Sequence, residues 1–206
     1  MTRFRLPEND QPDKEPEKRK KKRPRKATAK SLENAALYYL QRFASSNENL
    51  RRVLMRRVRR SAQHHGTDPE EGAEFINDII ARYQRSGLLD DAGYAEIRTA
   101  SLGRRGNSAR AIRNKLVEKG VDSDIIDETL TNRQNEDADP ELTAAVSLAR
   151  RRRLGPFRED GIRPEFKEKD LAALARAGFN YDTAQKVIEA VRVEDLEEEI
   201  IANQDV

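Results

Sequence analysis

The 206-residue chain has no cysteine and no tryptophan. Without cysteine it can form no disulfide, offer no thiolate nucleophile and bind no zinc through sulfur. Aromatic residues make up 5% and apolar residues 36% of the chain, too little bulk for a sandwich or a doubly wound sheet. Charged residues reach 37%, which suits helices with one narrow apolar face and a wide solvated one. No apolar run approaches the roughly 20 residues that cross a bilayer, so no membrane contact is expected. The basic N-terminus is followed by no hydrophobic stretch, so the expectation is a cytoplasmic protein without a secretory signal. The only histidines, His64 and His65, are adjacent in a polar segment between helices. Neighbours on a helix point about 100° apart, and no third ligand stands at metal spacing. A surface pair and no metal are expected. "GRRGNSA" (103–109) has two glycines but lacks the Gly-Lys-Ser/Thr ending of a phosphate loop, and Ser101 and Ser108 have no base in view. No catalytic residue, cofactor or enzymatic activity is therefore expected.

What is present is charge, unevenly placed. Residues 1–30 hold 12 Lys/Arg against 5 Asp/Glu, while the other 176 hold 28 against 32. With four prolines and little to bury, residues 1–30 read as a disordered basic tail. Its run "KRKKKRPRKATAK" (18–30) can meet phosphate backbones or an acidic protein face, or simply solubilise the chain.

From Ser31 onward the period is helical. "SLENAALYYLQRFA" sets Ala36, Leu37, Leu40 and Ala44 on one face. Ser45 with Glu48 predicts a capping box for a helix striped by Leu50, Val53, Leu54 and Val58. Asp68, Pro69 and Glu71 open a third helix, and Gly87 closes it. Two further helices, at 91–103 with Tyr94, Ile97 and Leu102 and at 108–119 with Ile112, Leu116 and Val117, precede a shorter one from 123. "KLVEKGVDSDIIDETL" (115–130) aligns without a gap to "ALARAGFNYDTAQKVI" (173–188) at an offset of 58. Gly120 and Gly178 end one helix in a left-handed cap, and Asp122 and Asn180 start the next. Asp90 and Asp91 fall where a turn meets a helix start, so capping is expected of both. The fold class expected is all-α: an elongated array of three tandem three-helix repeats at 31–87, 88–134 and 135–206. The last carries a loop insertion, "LGPFREDGIRPEF" (154–166), and an acidic C-terminal extension read as a solvated cap.

Arginines form three islands: 51, 52, 56, 57, 59 and 60; then Arg104, Arg105, Arg110 and Arg113; then Arg150 to Arg153. Their planar forks suit carboxylates and phosphates alike. Stacked in register, the islands can line one surface that tracks a regular polymer; unstacked, they are solvated helix surface with ordinary ion pairs.

"GLLDDAGYAEIRTASLGRRGNSARAIRNKLVEKGV" (87–121) resembles the central signature of the bacterial RecX regulatory proteins. The matching features are Gly87, Leu88, Leu89, Asp90, Asp91, Tyr94, Ala95, Arg104 or Arg105, Leu116, Lys119 and Gly120. "ALYYLQRFASS" (36–46) is similar to the opening of that family's first repeat, with Phe43 where an arginine is common, and "LAALARAGFNYDTAQKVI" to the close of its last. The resemblance implies a non-enzymatic partner of the RecA recombinase, active in DNA repair, homologous recombination and the SOS response. It would lie in the groove of the RecA–DNA filament, as a monomer when free, and inhibit ATPase activity, filament growth and strand exchange. The contacts expected are Arg56, Arg104, Arg105, Arg110, Arg151 and Arg152. The alternative is a nonspecific DNA-binding protein holding single- or double-stranded DNA through the tail and the arginine islands.

Overall fold

The structure is a computed structural model that describes residues 23–136 and 139–204. Among those residues there are ten α-helices and no strand. The first three helices are α1 (Ala29–Leu40), α2 (Asn47–His65) and α3 (Pro69–Arg85). They enclose a core of Leu32, Ala36, Leu50, Leu54, Val58, Ile76, Ile79 and Ile80. The next three, α4 (Asp91–Arg104), α5 (Ala109–Glu118) and α6 (Ser123–Glu136), bury Ala95, Leu102, Ile112, Leu116, Val121, Ile126 and Leu130. The third core is built by α7 (Pro140–Arg152), α8 (Arg163–Arg176), α9 (Tyr181–Glu189) and α10 (Val193–Gln204), and includes Leu142, Leu148, Leu174, Val187 and Leu196. Three cores thus follow one another along the chain. The middle one is small enough to be marginal by itself, so contacts to both neighbours carry part of its stability.

Most helices begin on the side chain that the backbone requires. The first amides of a helix lack partners within it, and Ser46, Asp68, Asp90, Ser108, Asp139 and Asn180 each accept one of them. The two aligned glycines do what their spacing predicts. Gly120 has φ +73° and Gly178 φ +96°. Val121 N–H donates to the Leu116 carbonyl at 3.1 Å, and Phe179 N–H to that of Leu174 at 3.2 Å. The same six-residue closure therefore ends both helices, with buried Leu116 against Val121 and Leu174 against Phe179.

Several expectations are corrected. The α2 cap is Ser46, not Ser45; the Ser45 hydroxyl donates to the Ser46 carbonyl instead. Helix α1 buries Leu32, Ala35 and Ala36 and leaves Leu37 exposed. Ile97 is 70% exposed and Val117 57% exposed. The histidines lie in the last turn of α2. Residues 23–28 are docked, with Thr28 capping an α1 that begins at Ala29, while residues 1–22 of the expected disordered tail lie outside the described residues.

Residues 154–166 are no loose insertion. Two 3-10 turns, Gly155–Phe157 and Asp160–Ile162, lead into α8, and Leu154, Gly155 and Pro156 are buried. The nearly buried Asp170 carboxylate accepts the Gly155 N–H at 2.9 Å and two nitrogens of Arg158 at 2.8 and 3.2 Å. The acidic terminus is more than a solvated cap. Helix α10 buries Leu196 in the third core and pairs Glu197 with Arg150 and Glu199 with Lys186.

Candidate functional site

The repeats meet through one joint, made twice. At the start of α2 the first amide, Asn47 N–H, donates to the Asp91 carboxylate of α4 at 2.8 Å. Ser46 Oγ accepts the Asn49 N–H and donates to the carbonyl of Lys119, which caps the end of α5. At the start of α5 the first amide, Ala109 N–H, donates to the Glu141 carboxylate of α7. Ser108 Oγ accepts the Ala111 N–H and donates at 2.8 Å to the carbonyl of Ala177, which caps the end of α8. A hydroxyl has one proton and two lone pairs, so each serine satisfies orphan groups of two helices. The middle helices α8, α5 and α2 thereby run end to end, with the negative end of each dipole against the positive end of the next. Gly120 fits against Glu48 and Arg52 at one joint, and Gly178 against Ser108 and Arg110 at the other.

Asp90 is the α4 cap, accepting the Ala92 N–H at 3.0 Å. Asp91 is not a cap of its own helix; it caps the first amide of α2 across the joint. Burial pushes the Asp91 carboxyl above the usual carboxylate range, against the hydrogen bond from Asn47. Glu141 is raised for the same reason, against the bond from Ala109. A carboxyl that binds its proton more tightly in the folded chain adds stability below its unfolded pKa, and that increment is lost as pH rises toward the folded value. The Asp91→Asn/Glu141→Gln chain keeps an oxygen for each amide without the charge. Its stability at pH 7 should match or exceed the parent's, and the parent's loss of stability as pH rises above the unfolded carboxylate range should be reduced in it. Denaturant midpoints at each pH read this; an unchanged slope would refute it. Alanine at both sites should instead cost about 1 kcal/mol per unpaired amide.

The structure divides the arginine islands. Arg51 and Arg52 pair with Glu48, Arg113 with Asp127 and Arg150 with Glu197. Arg56, Arg104, Arg105, Arg110 and Arg152 are exposed and, among the described residues, have no carboxylate within ion-pair distance. The Arg151 guanidinium donates to the Arg105 carbonyl, bringing the second and third islands together. Arg104 also lines a cleft of about 550 Å³ with Ile97, Thr99 and Arg133. Tyr94 is half-buried against the middle core.

Two features escaped the sequence. One is the joint: Ser46 and Ser108 are visible as helix starts, but nothing local links them to Lys119 and Ala177. The other is a cleft of about 700 Å³ where Arg23, Arg25, Lys30, Arg57 and Arg60 converge. The only sequence signal for it was the density of basic residues.

Among the described residues no cluster of His, Asp and Glu could hold a metal ion, and no helix is long and apolar enough to cross a membrane. The three cores and the joint repeated between them define an all-α helical-repeat protein. Residues 90–130 match the family description "RecX, second three-helix domain". The chain is 44% identical over 160 residues to regulatory protein RecX of Myxococcus xanthus, covering 77% of this chain and 84% of that one. It is 34% identical over 165 residues to regulatory protein RecX of Agrobacterium fabrum, covering 80% and 85%, and 29% identical over 171 residues to that of Halorhodospira halophila, covering 82% and 93%. The chain belongs to the RecX family. No solved structure matches it significantly.

Proposed function

We propose that this chain, as a RecX-family regulator of the RecA recombinase, binds along the RecA–DNA filament and inhibits its ATPase, its growth and strand exchange. The observation that carries the reading is the joint repeated at Ser46 and Ser108, which spaces the helical repeats regularly. A regular array suits a target that is itself regular. Each repeat then contributes a weak contact, and the linked contacts add through effective concentration. Arg56, Arg104, Arg105, Arg110, Arg151 and Arg152 supply the charged contacts, setting approach and register more than affinity. By bridging neighbouring subunits the array restrains the motion that accompanies ATP turnover, with no chemistry of its own.

The test is RecA ATPase on single-stranded DNA with increasing amounts of the chain and of its Arg104→Gln/Arg105→Gln/Arg152→Gln variant. Inhibition below one chain per RecA is expected, with the variant needing about tenfold more protein at an unchanged melting temperature. An ATPase rate indifferent to the parent chain would end the proposal. Equal potency of parent and variant would remove these arginines from it.

A further inference from the structure

The cleft beside the tail root belongs to neither joint nor to the expected contact set. One wall is the segment Arg23–Thr28, another the start of α1 with Lys30, Ser31 and Asn34, and the third the α2 residues Arg57 and Arg60. Five cations line it and no acidic residue does. Among the described residues none of the five has a carboxylate within ion-pair distance, and the nearby Glu33 is engaged by Arg82 at 3.1 Å. The wall is fixed. Ala27 N–H donates to the buried Ser61 Oγ at 2.9 Å, Ser31 Oγ donates to the Lys26 carbonyl at 2.8 Å, and a His65 ring nitrogen lies 2.8 Å from the Pro24 carbonyl.

The arrangement is electrostatically unfavourable as it stands. The first turn of α1 contains no acid and does contain Lys30, although the exposed amides there disfavour positive charge. Eight of the other nine α-helices among the described residues carry an acid in that turn, α5 being the exception. Four arginines and a lysine around one cavity repel one another unless an anion enters, and a walled cleft concentrates their field. Arginine forks and hydroxyls are the donors that phosphate oxygens accept. Among the described residues Tyr38 is the only exposed aromatic that reaches this cleft, and Arg42 lies over its ring at 5.1 Å. That leaves little surface on which bases could stack.

We infer that this cleft is a binding site for the phosphodiester backbone of a nucleic acid, held by Arg23, Arg25, Lys30, Arg57 and Arg60 without reading base identity. The site stands apart from the filament reading and needs no recombinase.

The experiment measures binding of fluorescent oligonucleotides, single-stranded and duplex, to the full chain without recombinase at several salt concentrations. Three proteins are compared: the parent, Arg57→Gln/Arg60→Gln, and Arg59→Gln/Arg176→Gln. The last loses the same charge outside the cleft, and circular dichroism checks the folding of all three. The salt slope should fall by about two for the cleft variant, equally for unrelated sequences, and by clearly less for the control. Equal falls for both variants would mean that only overall charge matters and would overturn the site. So would a parent that binds poly-glutamate as tightly as DNA, since the cleft would then be a dock for acidic protein. Because the readout contains no RecA, its failure leaves the ATPase result standing, and the reverse also holds.

Discussion

Gly106→Ala should cost the chain roughly 2–5 kcal/mol and loosen the third repeat from the second. Two effects combine at this position. Gly106 has φ +71°, where a side chain adds about 1–2 kcal/mol of strain. A Cβ there would also stand 2.7 Å from the Leu148 nitrogen, 2.9 Å from the Ala144 carbonyl oxygen and 3.0 Å from the Leu148 Cα. All three are backbone atoms of α7, so no rotamer change can make room. Helices α4 and α7 must separate, and forced overpacking of this kind costs about 1–3 kcal/mol. Gly161→Ala is the control, because nothing lies within 4 Å of its added Cβ; it should stay within about 0.5 kcal/mol. Denaturant unfolding gives the totals, and amide exchange locates the damage, with protection falling first around Ala144 to Ala149. A cost below about 1 kcal/mol would show that the two helices approach less closely than their backbones indicate. The effect should reach function too. Arg151 holds the Arg105 carbonyl beside this contact, so a displaced α7 carries Arg152 away from Arg105. Under the filament reading, inhibition of RecA should then weaken in a chain that remains folded.

The helix ends were legible because they are local chemistry. A leucine, a glycine four residues on, and an apolar residue after it produce the same closure at Gly120 and Gly178 wherever they occur. Asp68 with Pro69 and Asn180 before α9 are equally local signals. The errors arise where a neighbouring repeat decides. Ser45 matched a capping pattern with Glu48, yet the hydroxyl that must reach Lys119 is that of Ser46, and Glu48 pairs with Arg51 and Arg52. Asp91 looked like a cap for its own helix because the amide it accepts is 44 positions earlier in the chain. Large apolar residues drew attention away from small ones. In α4 the buried side is Ala95, Thr99, Leu102 and Gly103, since α4 packs on α5, α6 and α7 and needs close approach, while the bulkier Ile97 faces out. The basic cleft was hidden for a related reason: it joins residues 23–30 to residues 57–60 through Ser61 and His65, which sequence spacing does not connect.

Asp170→Ala should be the most damaging single change in the third repeat, at about 3 kcal/mol. The carboxylate is 3% exposed as a residue and binds three donors at once, the Gly155 amide and two nitrogens of Arg158. Removing it leaves an orphan amide and a guanidinium whose side chain is only 20% exposed. Loss of one partner from a buried pair costs about 3–5 kcal/mol. The lower end applies because Arg158 keeps some solvent and lies over the Phe166 ring at 4.2 Å. Asp170→Asn keeps an acceptor for the Gly155 amide and should recover part of the loss. The damage should also be confined. Residues 154–158 sit against α9 through Gly155, whose Cβ position is 2.9 Å from the Ile188 Cα, so freeing them opens the third core first. The second repeat meets the end of α8 through Ser108 and the Ala177 carbonyl. In an array of nearest-neighbour contacts a defect at one end need not unfold the other. Amide exchange on Asp170→Ala should therefore show α8 and α9 exposed while Leu50, Leu54 and Ile76 stay protected. Uniform loss across all three cores would mean that the joints couple the repeats into one cooperative unit, and the end-to-end contacts of α8, α5 and α2 would then be the reason.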